Sequence, residues 1–156
     1  MIVPLTLLDF VERAELVYGD REAGVDEPAP PGGGLGRITY RQFAAMSRSL
    51  AAALDDLGVG EGERVGIVSP NAARFLVSLF GVSAWGRVLV PINFRLNAEE
   101  IGYVVEHSGA TVLLVDPDLD APLRDLRVKH RFVLGRDTDA RLFLRPDARP
   151  AGRVTD

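Results

Sequence analysis

The sequence contains no cysteine. That excludes disulfides, thiolate nucleophiles and zinc sites built on sulfur, and it fits a reducing cytoplasm, the expected compartment. Histidine is nearly as scarce. His107 falls in the last turn of a helical pattern, where an imidazolium complements the dipole, and His130 falls in a polar connection between Lys129 and Arg131. Neither has a second histidine or a carboxylate at ligand spacing, so no metal site is expected. There is no excess of positive charge: 18 Lys and Arg face 22 Asp and Glu, a net charge of -4. A sequence-independent grip on nucleic acid phosphates is therefore not expected. No apolar run approaches the roughly 20 residues needed to cross a bilayer. The opening MIVPLTLLDFVER lacks the basic region and small-residue cleavage site of a signal peptide.

A phosphate-cradling loop is also missing. Gly58, Gly60 and Gly62 lie after a helix and before a strand, whereas a dinucleotide fingerprint needs the phosphate to meet a helix amino terminus. They read as a helix stop and a turn. Gly32, Gly33, Gly34 and Gly36 follow prolines and have no lysine-serine pair after them, so Asp26 to Gly36 (DEPAPPGGGLG) reads as a flexible surface loop.

What is present is a regular alternation. From Gly62 to Asp116, three β-rich runs (Arg64–Val68, Val88–Ile92, Thr111–Val115) alternate with two helical patterns at a nearly constant interval. This is the signature of consecutive βαβ units and a mostly parallel sheet with flanking helices. A length of 156 residues with 47% hydrophobic content suits one domain with a sizeable core. Thr6 is placed to cap a first helix to about Val17, with Leu7, Phe10, Val11 and Ala14 inward. Ala23–Val25 and Arg37–Thr39 are read as a short antiparallel hairpin. Thr39 with Gln42, and Asn97 with Glu100, form capping boxes. The first opens a helix carrying Phe43, Met46, Leu50, Leu54 and Leu57. The second opens one whose Ile101, Val104 and Val105 point inward. Between them, a helix over about 72–84 is apolar around most of its circumference. Trp85 reads as core. Asp55 and Asp56 fall at a helix end and read as a solvated face. A weak helix near 119–126 and a strand near 131–134 follow. Residues 1–135 are thus expected to form one α/β unit. Residues 136–156 are expected to form a linker or irregular segment, because Pro146 and Pro150 break the arginines recurring every four residues.

A parallel sheet gathers the residues just past its strands on one rim. Those residues are Ser69 and Asn71, Asn93 and Arg95, and Asp116. Arg95 stands out, because its planar fork suits a phosphate or carboxylate. The plain alternative is that it pairs with Glu99 or caps its own loop.

The run from Ile38 to Asp116, with ITYRQF, LAAALDDLGVGEGERVGIVSPNAARFLVSLFGVSAWGRVLVPINFRLNAEEIGYVVEHSGATVLLVD and the helix before Asp20, resembles the adenylate-forming superfamily. PINFRLNAEEI looks like its acyl-CoA and aryl-CoA ligase branch rather than peptide-synthetase adenylation domains. The resemblance implies a parent enzyme that uses ATP, Mg and coenzyme A to convert a carboxylic acid, fatty by this branch, into acyl-AMP and then acyl-CoA. The family's glycine-rich T-S-G-T-T-G-x-P-K loop does not occur here; in relatives it begins a short distance beyond a segment like Gly152 to Asp156. The resemblance therefore implies an amino-terminal portion with no catalytic residue of its own, inactive alone and without tight cofactor binding. Its partners would be the rest of the ligase chain and the acid substrate. Uncovered apolar surface on the helix over 72–84 would favour self-association. One residue carries over: Arg95 occupies the arginine of P-x-N-x-R-L, which in some relatives approaches a coenzyme A phosphate. A standalone binding or interaction module that keeps the fold is the alternative.

Overall fold

The computed structural model describes residues 5–28, 30 and 32–151. Helix α1 (Leu7–Tyr18) opens at Thr6 in a full capping box with Asp9. Strands β1 (Glu22–Val25) and β2 (Arg37–Thr39) form the expected antiparallel hairpin. Helix α2 (Tyr40–Asp56) starts at the Thr39–Gln42 capping box, and Gly58, at φ 70°, turns the chain away behind it. Then come β3 (Arg64–Val68), α3 (Ala73–Ser83), β4 (Val88–Ile92), α4 (Ala98–Ser108), β5 (Val112–Val115), β6 (His130–Val133) and α5 (Arg136–Leu142).

The four later strands form one sheet in the order β4-β3-β5-β6, and every neighbouring pair is parallel. The alternation of side chains sorts the core onto two faces. Val65, Ile67, Val112 and Leu114 point toward α2 and α3, while Val68, Leu113 and Val115 point toward Ile101 and Val105 of α4. All four residues of β5 are fully buried, as an apolar central parallel strand requires. Edge strand β4 is exposed at Val88 and Pro91, and Pro91 is tolerated there because an edge leaves one row of backbone donors unused.

The structure departs from the sequence expectations at several elements. On α1 the buried residues are Leu8 and Val11, whereas Leu7 and Phe10 are 41% and 55% exposed. The helix is rotated so that Glu15 meets the Arg48 fork of α2, at 2.7 and 2.8 Å. That pairing holds the Glu15 carboxyl below its usual range. The helix expected near 119–126 is instead two 3-10 turns, Pro117–Leu119 and Ala121–Leu123. Pro122 falls inside the expected helix and removes an amide donor that an α-helix would need there.

His130 lies in β6 rather than in a connection. The segment read as a linker over 136–156 begins with α5. This helix ends before Pro146 and is held by the buried Leu142, Phe143 and Asp139; residues 152–156 lie outside the described residues. Asp56 is exposed, as expected of a solvated face, whereas Asp55 is about three-quarters enclosed. Asp55 accepts hydrogen bonds from the buried Arg87 guanidinium and the Ala151 amide, and Asp56 pairs with Arg145. Trp85 is core, packed with Leu8, Ala51 and Ala84. On α3, Val77 and Val82 are buried and Phe75, Leu76 and Phe80 pack against the core, leaving Leu79 as the exposed large side chain.

Candidate functional site

Chain order and strand order together locate the site. After β3 the chain leaves for the α2/α3 face. After β5 it leaves for the opposite face, where Leu123 joins the α4 cluster. Two adjacent parallel strands whose connections diverge leave a crevice at their carboxyl ends. The crevice is there, with a volume of about 120 Å³. Ser69, Asn71 and Asp116 line it, three of the five rim residues singled out from the sequence, together with Asp26, Glu27 and Arg74.

Its charge is set by what sequence reasoning missed. Asp26, read as part of a flexible loop, is tied at three atoms. Its Oδ1 accepts from the Ala73 amide at 2.6 Å, its Oδ2 accepts from the Leu35 amide at 2.8 Å, and its own amide donates to the Gly36 carbonyl. Helix α3 needs this, because its N-cap residue Ala72 supplies no side-chain cap. The signal was in the sequence: α1, α2 and α4 each start with a local capping box, and α3 starts with two alanines. Arg74, one residue into the same turn, sends Nε and Nη2 to Asp139 at 2.7 and 2.6 Å. Both side chains are about 5% exposed. The Asp139 hydrogen bond raises the Arg74 guanidinium above its ordinary value. Nothing local predicts that pair, since the partners are 65 residues apart.

The remaining groups are anionic or already engaged. Burial pushes the Asp116 carboxyl up, the Asp118 amide pulls it back, and the Asp118 charge adds to the rise. Ser69 is buried, and its hydroxyl donates to the Pro70 carbonyl. The crevice is anionic, a lining that disfavours a nucleoside triphosphate. The amino-terminal amide of α3, where a phosphate would be received, already serves a carboxylate. Three further carboxylates, Glu27, Asp116 and Asp118, line the space, and its single arginine is neutralised by Asp139. No cluster of three or more metal-ligating side chains occurs among the described residues.

Asn93 and Arg95 lie apart from the crevice, beyond edge strand β4. Asn93 Oδ1 accepts from the Arg95 amide at 3.0 Å, which closes the turn into α4. The Arg95 side chain is exposed, with its guanidinium 5.5 Å from the centre of the Phe94 ring. No ion pair with Glu99 forms among the described residues, and Glu100 is the carboxylate that caps α4. Arg95 therefore presents an exposed cation at the carboxyl end of the sheet.

Comparison with known proteins adds the family. A sequence profile of the AMP-binding enzyme family matches residues 11–150. The chain is 36% identical, over 83% of its length, to a long-chain-fatty-acid–CoA ligase of Thermus thermophilus, and 34% identical, over 86%, to 4-hydroxybutyrate–CoA ligase 2 of Metallosphaera sedula. It spans 24% of each of those proteins, so it corresponds to about a quarter of the curated relatives it matches. Among solved structures, the N-terminal domain of FACL13 from Mycobacterium tuberculosis superposes with a TM-score of 0.77 at 26% identity, covering 98% of this chain and 39% of that one. The α/β architecture, its parallel four-stranded sheet and its small hairpin are thus those of acyl-CoA ligase amino-terminal regions, and the chain belongs to the AMP-binding enzyme family.

Proposed function

We propose that this chain is the amino-terminal scaffold of an ATP-dependent, AMP-forming acyl-CoA ligase. Its parent activates a carboxylic acid, fatty by the branch its sequence resembles, as acyl-AMP and passes the acyl group to coenzyme A. The observation that carries this reading is the family match over 11–150 by a chain that spans about a quarter of its CoA-ligase relatives. In that enzyme ATP, Mg and the acid are held by parts outside this chain, and these residues contribute the sheet and its rim. The compartment is the cytoplasm. No helix among the described residues is long and apolar enough to cross a membrane.

The 156-residue chain alone is inactive. ATP–pyrophosphate exchange with a panel of fatty and aromatic acids should stay at background, and robust exchange would overturn the proposal. Without the rest of the ligase the chain also self-associates. Its exposed large apolar side chains concentrate on α1, at Leu7, Phe10, Leu16, Val17 and Tyr18, whereas α3 contributes only Leu79 among the described residues. Sedimentation showing an ideal monomer at high concentration would count against this.

Arg95 is the one residue proposed to touch a cofactor, through a phosphate of coenzyme A. Its exposure and freedom from Glu99 support that role. In the full-length ligase, Arg95→Ala should raise the KM for coenzyme A roughly 10- to 100-fold, the scale of one lost charge-assisted hydrogen bond. The adenylation half-reaction should be unchanged; an equal loss in both half-reactions would place Arg95 elsewhere.

The alternative is a standalone module without chemistry. It is favoured by the closure of the core over its own ion pair, Arg74–Asp139. A reading frame that continues past Asp156 into a T-S-G-T-T-G loop would eliminate it.

A further inference from the structure

The described residues between β1 and β2, 26–28, 30 and 32–36, lie at the carboxyl ends of the sheet. At one end Asp26 is bound to the first turn of α3. Farther along, Gly32 lies against the elements that follow β5 and β6. A Cβ built on it would sit 2.7 Å from Pro117 Cγ and 3.1 Å from the Leu134 carbonyl oxygen, and its φ is +72°. Both constraints require glycine there. Asp26, Glu27 and Pro30 line the crevice together with Ser69 and Asp116. The segment therefore lies as a strap across the point where the connections of β3 and β5 diverge.

One carboxylate joins this strap to the helix. Asp26 Oδ1 serves α3, and Oδ2 serves Leu35 at the far end of the same strap. We propose that Asp26 is a latch: a single side chain that closes the strap over the crevice and at the same time completes helix α3. Helix and strap are thereby coupled. Releasing the carboxylate frees the strap to lift from the crevice and uncaps the first turn, which carries Arg74. A local cap on α3 would separate the two roles, because it would satisfy the helix and leave the strap without an anchor.

Amide hydrogen exchange and cleavage by thermolysin before Leu35, both on the 156-residue chain, test this. The Ala73 amide is the first of its helix and has no intrahelical acceptor. In the unaltered chain it should nevertheless be protected, as should the Leu35 amide. Asp26→Ala should speed exchange at both amides, and cleavage before Leu35, about tenfold or more, the scale of a lost charge-assisted hydrogen bond. The amides of β3 and β5 should keep their protection. In Asp26→Ala/Ala72→Ser the new hydroxyl caps α3 from its own N-cap position. Thermal stability should then recover, while exchange at the Leu35 amide and cleavage before Leu35 stay fast. Two results would overturn the latch: an unprotected Ala73 amide in the unaltered chain, or slow cleavage in the double variant, which would make Asp26 a helix cap and nothing more. Should the single variant fail to fold, the unaltered chain and the double variant still decide the matter.

Discussion

Replacing Asp139 with Ala should lower the free energy of unfolding by about 3–5 kcal/mol, the range for removing one partner of a buried ion pair. The cause is less the lost attraction than the stranded charge, because the Arg74 guanidinium stays about 95% enclosed with nothing bonded to Nε and Nη2. Asp26 and Asp116 also attract Arg74 and offset part of the loss, which puts the expected value toward the lower end of that range. With a urea m-value of roughly 1–3 kcal/mol/M, the midpoint should fall by about 1 M or more. Since a domain commonly has about 5–15 kcal/mol in total, the variant should be close to unfolding. The double replacement Arg74→Met/Asp139→Leu discriminates between explanations. An apolar pair of similar volume should recover most of the loss. A double variant as unstable as the single one would show that the pair itself, rather than the unpaired charge, supplies the stability.

The second large effect is expected where α2 crosses α3. Leu50 is 0% exposed, and it packs where Gly81 lets the two helices approach closely. A Cβ on Gly81 would lie 3.0 Å from Leu50 Cβ, Leu50 Cδ2 and the Ser47 carbonyl oxygen. Leu50→Ala should cost about 2–5 kcal/mol through lost burial and the void left behind. Gly81→Ala alone gains about 1 kcal/mol of helix propensity but meets a crowded wall, so its net effect is small or destabilising. Together the two should cost less than the sum of the singles by about 0.5 kcal/mol or more, because truncation removes the Leu50 Cδ2 contact, while those with Cβ and the Ser47 carbonyl oxygen stay. Additive losses in a denaturant-based double-mutant cycle would contradict the close crossing at this point.

The elements legible in the sequence were those with local causes. The capping boxes at Thr39 and Asn97 place their helices to the residue, and the glycines after α2 and α4 end them. The apolar run of β5 announced a strand buried on both faces, and Gly62 to Asp116 delivered its parallel sheet. What was illegible depends on partners distant in the chain. The rotation of α1 follows from a contact between Glu15 and Arg48, 33 residues apart. The order of the last segment follows from Asp139 reaching back to Arg74, and Asp55 looked solvated because Arg87 reaches it from beyond the next strand and helix. The rim was half legible. Period and polarity put Ser69, Asn71 and Asp116 at its mouth, while the loop residue that controls the charge there, Asp26, spans 47 residues to its helix.

The order β4-β3-β5-β6 has a consequence for synthesis. β3 leaves the ribosome first, yet it ends up between two strands made later. Its far edge must wait from Val68 until Val112 has been added, a delay of about 2–9 s at roughly 5–20 residues per second. Through that interval the nascent chain carries an unpaired hydrophobic strand, protected on one face by two helices and at its flank by nothing. Slow codons between β4 and β5 would lengthen the exposure, and a chaperone meeting this polypeptide during translation would find its target there.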